Sequence, residues 1–198
     1  QTERKLGLVY DASTDRTVIA YRNNSSADGE AIVGTVSGTS ISFGTAVTFE
    51  SASSGINYIA TAYDANAQKV VIAYQDLDDS SHGKAIVGTV SGTSISFGTA
   101  ATFESADTQQ ISATYDANAQ KVAIFYQDRG NSHAGTGIVG TISGTSISFG
   151  SPATFLASQA WYMSSSYDSG SQKIVVIYSD RNTAGSNTWH GNLVVGTI

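Results

Sequence analysis

The stretch Ile32-Val33-Gly34-Thr35-Val36-Ser37-Gly38-Thr39-Ser40-Ile41-Ser42-Phe43-Gly44-Thr45-Ala46 decides the fold. It occurs again letter for letter at 86–100, and once more at 138–152 as IVGTISGTSISFGSP. A second motif keeps the same period: YDANAQKV at 63–70 and 115–122, with relatives YDASTDRTV at 10–18 and YDSGSQKIV at 167–175. The anchoring aspartates Asp11, Asp64, Asp116 and Asp168 lie 53, 52 and 52 residues apart. Self-similarity at a fixed period of this length is the signature of a repeat architecture. The chain therefore divides into four units, at about 1–53, 54–106, 107–158 and 159–198, within a single domain 1–198.

Each unit reads as four short strands. In the second these are Ile56–Tyr63, Lys69–Tyr74, Lys84–Val90 and one strand from Ser94 to about Phe103. Asp64 and Asn66 supply turn chemistry between the first pair, and Ser91-Gly92-Thr93 between the last pair. No segment carries a helical period over eleven or more residues. The first strands are rich in small residues, as in Ala60-Thr61-Ala62 and Ser164-Ser165-Ser166, which suits strands converging on an axis. The second strands are apolar on both faces, as in Val70-Val71-Ile72-Ala73-Tyr74, the mark of a strand covered on both sides. The fourth alternates Ile95 and Phe97 with Ser94 and Ser96, as a half-exposed outer strand does.

These properties predict an all-β chain folded as a β-propeller of four blades, each four-stranded. The first three strands occur four times but SGTSISFG only three times, so the last blade lacks its outer strand. Three explanations stand open. The natural chain continues beyond Ile198, the last blade has three strands, or the edge Leu193–Ile198 pairs with a neighbouring chain or a second copy. The ring in turn either closes with four blades or pairs with a second chain into a larger one.

Composition bounds the function. The chain has 198 residues, 13% of them charged, a net charge of −6 and a pI near 4.8. No basic stripe is present to neutralise phosphates, which argues against a nucleic-acid partner. No apolar run approaches the ~20 residues of a membrane-spanning helix. With no cysteine there is no disulfide framework, thiolate metal site or cysteine nucleophile.

The units KVVIAYQD…GKAIVGTVSGTSISFG and KVAIFYQDRGNSHAGTGIVGTISGTSISFG resemble tandem propeller-like repeats of marine microbial and phage proteins associated with surfaces or tails. The resemblance covers nearly the whole chain and carries no catalytic motif with it. The layout is also similar to that of small propeller lectins, which implies sugar sites on or between blades but transfers no residue identities. The resemblance implies an extracellular or virion-surface setting.

Within the chain, the turns DANAQK and SGTS are nearly uniform. The loops Asn23–Glu30, Asp76–Lys84, Asp128–Gly137 and Asp180–Asn192 vary in length and chemistry. Uniform turns read as scaffold and diverse loops as recognition surface. The aromatic residues Trp189, Trp161, Tyr162 and Tyr58 are candidates for binding a glycan or another cell-surface ligand, because flat rings offer apolar area with a polar handle. The loop histidines His82, His133 and His190 join them as ligand-binding candidates, but stand in different units and so are not expected to share a metal. Asp76-Leu77-Asp78-Asp79 offers oxygens for Ca²⁺ without the patterned spacing of a dedicated calcium loop, so no cofactor is expected. Asn23, Asp128 and Asp180 at the loop starts read as backbone-bonding residues, and Tyr21, Tyr74, Tyr126 and Tyr178 as structural. The first strands hold no mid-strand carboxylate, and no GxSxG elbow or phosphate loop occurs. The expectation is a non-enzymatic recognition module. The alternative is an assembly module acting through its open edge, and a glycoside hydrolase is a weaker third.

Overall fold

The structure is a computed structural model that describes residues 6–181 and 189–198. Unit 1 holds β1 (Leu6–Asp11), β2 (Arg16–Arg22), β3 (Gly29–Ser37), β4 (Ser40–Phe43) and β5 (Val47–Glu50). Unit 2 repeats the plan with β6 (Ile56–Asp64), β7 (Lys69–Asp76), β8 (His82–Ser91), β9 (Ser94–Phe97) and β10 (Ala101–Glu104). Unit 3 holds β11 (Thr108–Asp116), β12 (Lys121–Asp128), β13 (Ala134–Ser143) and β14 (Ser146–Phe149). Then β15 (Ala153–Asp168) runs unbroken across the expected boundary at 158/159, and β16 (Lys173–Arg181) and β17 (Trp189–Gly196) complete unit 4. Apart from one 3-10 turn at Arg129–Asn131, every regular element described is a strand, and all pairings are antiparallel.

The expected single fourth strand is instead two short ones. β9 pairs with the C-terminal half of β8 and β10 with its N-terminal half, and unit 1 does the same with β4 and β5. The break falls at the motif glycine, whose N–H turns back onto the third strand: Gly44 donates to the Val33 carbonyl (2.9 Å) and Gly98 to that of Val87 (3.0 Å). These glycines also sit hard against the next unit. A Cβ on Gly44 would lie 1.9 Å from the Thr93 carbonyl oxygen, and one on Gly98 1.9 Å from that of Thr145. The FG of SGTSISFG is therefore a contact point for the following unit's SGTS turn.

The turns follow from local chemistry. Asp64 accepts from the Asn66 and Ala67 N–H groups, and Asp11, Asp116 and Asp168 do the same in their units. Gly92 takes φ +61°, the left-handed region a two-residue hairpin needs. Tyr58, Gln110 and Tyr162 hold equivalent positions at φ +50 to +54°, each inside a register shift of its unit's first strand. This bulge bends the strand and lets consecutive residues face neighbouring units.

Units pack face to face, β1 against β6, β6 against β11 and β11 against β15. Three apolar layers result. Between units 1 and 2 lie Val18, Val33, Phe49, Ile59, Ile72 and Tyr74. Between units 2 and 3 lie Val71, Val87, Phe103, Ile124, Tyr126 and Ile147. The layer between units 3 and 4 is thinner, built on Ala123, Ile174 and Val176 with Phe125, Phe155 and Val194 packed on it. A 170 Å³ cavity lies beside Phe125, Phe155, Val176 and Val194 in that layer. The first strands of all four units line one 340 Å³ cavity, with Gly7, Ala60, Ala113 and Ser165 among its walls. The small residues of these strands permit that approach. Ser165 Oγ hydrogen-bonds Ser112 (2.9 Å) and Thr114 (2.6 Å) of the neighbouring first strand.

Candidate functional site

Polar ties stitch each layer where a buried hydroxyl needs an acceptor. Tyr74, at the end of a covered strand, donates to Glu50 of the preceding unit at 2.6 Å, and Tyr126 donates to Glu104 at 3.0 Å. Burial and the adjacent carboxylate push both phenols far above their usual range. In unit 3, ahead of Tyr178, the position of Glu50 and Glu104 is taken by Leu156, and Tyr178 packs on Phe155 with ring centroids 5.5 Å apart. The repeated tyrosines are thus structural in the internal layers, and the two glutamates are their partners. Repetition of both residues at equivalent positions was the signal for this pairing.

The acidic run of unit 2 is engaged by protein donors. Lys84 bridges Asp76 (2.7 Å) and Asp79 (2.9 Å), and Asp76 also accepts from the Asp78 N–H. Asp78 accepts from Ser53 and Ser54 of the unit 1–2 connection, and hydrogen bonds from these serines hold its carboxyl down at about 2. Among the described residues no three His, Asp or Glu side chains are placed to hold a metal ion. Asn23 and Asp128 accept from backbone N–H groups of their own loops, while Asp180 accepts from Ser158. Burial, with Glu104 beside it, raises the Asp128 carboxyl, yet neither residue lines the cavities described here.

The candidate residues separate into three groups. Tyr58, a ligand-binding candidate, lies instead in the layer between units 2 and 3, only 4% exposed, with its hydroxyl on Gln109 (3.3 Å). Its bulge turns the ring inward, where unit 3 covers it. The histidines stay apart: His82 approaches Asp79 (3.4 Å), His133 accepts from Arg129 (3.2 Å), and His190 pairs with Asp180 in the β16–β17 register.

The third group comes together. Trp161, Tyr162 and Trp189 form one aromatic corner on unit 4, with centroid separations of 5.9 Å for each ring against Trp189 and 6.4 Å between Trp161 and Tyr162. The bulge at Tyr162 places it beside Trp161, and the β16–β17 register brings Trp189 opposite Arg181 at the strand end. The Tyr162 N–H is held by Gln110 of unit 3 (3.1 Å), and the Trp161 Nε1–H donates to Gln159 (3.3 Å). Tyr162 and Trp189 are exposed and Trp161 is half-buried. Beside the corner is an open depression of 640 Å³ lined by Tyr162, Ile177, Tyr178, Ser179, Asn192 and Leu193. Residues 182–188 of the longest variable loop lie outside the described residues. No helix described is long and apolar enough to cross a membrane. No protein-family model matches the chain, and no curated protein shows significant similarity to it.

Proposed function

We propose that the chain is a propeller-type repeat domain serving as a non-enzymatic recognition module, extracellular or on a virion surface, that binds glycans at the aromatic corner of unit 4. The propeller reading is supported by four first strands lining one cavity and by units packed face to face. The observation that carries the recognition reading is the convergence of Trp161, Tyr162 and Trp189, two of them exposed, at the rim of a variable loop. Ring faces of this kind match the apolar faces of sugars, and the polar tip of exposed Tyr162 matches their hydroxyls. Against catalysis stands the engagement of Glu50, Glu104, Asp76 and Asp78 by tyrosine, lysine and backbone donors. A glycan-array screen of the purified chain, with and without Ca²⁺, tests the reading. Binding lost on Trp189→Ala, with the β-sheet circular dichroism retained, is the expected result. A blank array, or binding indifferent to Trp189→Ala, refutes it.

A second reading, assembly through the open strand edge, is favoured by β17. Among the described residues it pairs only with β16, whereas β8 at the same place carries both β9 and β10. It predicts self-association that survives changes on unit 1.

A further inference from the structure

The two end faces of the chain have counterparts inside it, and those counterparts are covered. On unit 1, Leu6 (63% exposed), Val36 (59%) and Ile41 (43%) stand where unit 2 has Ile59 (0%), Val90 (8%) and Ile95 (2%), which belong to the layer with the preceding unit. On unit 4, Ile177 (53%), Leu193 (65%) and Val195 (52%) stand where unit 2 has Ala73, Ala85 and Val87, all 0% exposed in the layer with the following unit. Tyr162 likewise stands where Tyr58 is buried.

Polar groups repeat the pattern. Tyr63 accepts from the Ser13 N–H of the unit before it (3.1 Å), and Tyr115 from the Asn66 N–H (3.2 Å). Tyr10, their counterpart on unit 1, is exposed and donates to Asp15 of its own turn instead (2.9 Å). Among the described residues the Gly170 N–H, the counterpart of the Ser13 and Asn66 groups, bonds within its own turn, to Asp168. Gly150 belongs to the same series: a Cβ there meets nothing closer than 3.9 Å, where Gly44 and Gly98 each touch an SGTS turn.

We infer that a second copy of this chain docks its unit 1 onto unit 4 of the first, extending the face-to-face packing of units head to tail. The occupant is argued from continuity with the internal layers: each exposed face is the equivalent of one that already accepts its neighbour. Two copies joined this way share two equivalent contacts, which closes the assembly without leaving either end face bare. In that arrangement Tyr10 of one copy reaches the Gly170 turn of the other. Docking covers Tyr162 but leaves Trp189 at the rim, since its counterpart Ser81 stays partly accessible beside unit 3. The docked face shares Tyr162, Ile177 and Leu193 with the depression beside the aromatic corner, so docking leaves only the Trp189 rim open to a glycan.

Sedimentation velocity over a hundredfold range of concentration tests it, and the expected species has twice the 20.6 kDa chain mass. Leu6→Asp and Leu193→Asp sit at exposed positions, so each chain should fold alone. Each should weaken self-association by about 100-fold or more, because docking would bury an unpaired carboxylate. Mixing the two variants should restore association through one contact, unit 4 of the Leu6→Asp chain with unit 1 of the Leu193→Asp chain, while the contact that would bring both carboxylates together stays open. A chain that stays monomeric throughout overturns the inference. So does self-association untouched by Leu6→Asp, which would assign assembly to the β17 edge.

Discussion

Tyr74→Phe isolates one tie between units. The ring of Tyr74 is wholly buried and packs edge-on against Phe49 at a centroid distance of 5.3 Å, so phenylalanine keeps the packing. Only the hydroxyl is lost, and with it the 2.6 Å hydrogen bond to Glu50. A hydrogen bond to a charged group contributes about 1.5–3 kcal/mol, and the remaining carboxylate loses its partner in a partly buried site. The expected destabilisation is therefore about 2 kcal/mol, or roughly 4–8 °C in Tm for a chain of this size. Urea unfolding followed by circular dichroism and by tyrosine fluorescence measures it, the two probes together reporting whether the units unfold as one. Tyr178→Phe is the internal control. It occupies the same place in unit 4, but Leu156, which cannot accept, stands at the position equivalent to Glu50, so its cost should stay within about 0.5 kcal/mol. Equal effects of the two substitutions would refute the assignment of Glu50 as the acceptor that matters.

Tyr74 and Tyr126 also predict alkaline sensitivity. Their folded pKa values lie above the unfolded value of 10.0, so their contribution is fully present below pH 10 and is lost as pH rises beyond it. Each should remove about 1.4 kcal/mol of stability per pH unit above that point, and the Tyr74→Phe/Tyr126→Phe double variant should show a shallower fall; a profile unchanged in the double variant would count against this. The motif glycines give a paired test in thermal melts. Gly44→Ala, which drives a methyl into the Thr93 carbonyl, should cost about 1–3 kcal/mol, whereas Gly150→Ala, with its nearest atom 3.9 Å away, should cost far less.

The residues themselves determined the repeat period, the strand character and the turns. Asp64 caps its turn and Gly92 adopts a left-handed conformation for reasons contained within a few residues of each. The split of the fourth strand was harder to read, because Gly98 breaks it through a bond to Val87 and a close approach to a turn 47 residues onward. Among the candidate site residues, exposure is where local reading stopped. Tyr58 and Tyr162 occupy the same repeat position at the same bulge, and sequence pattern treats them alike. One is buried and the other exposed because unit 3 covers Tyr58 while no described unit covers Tyr162. Alternation along a strand settles which face a side chain takes. What that face meets depends on a neighbour some fifty residues away, and only the packing of whole units decides it.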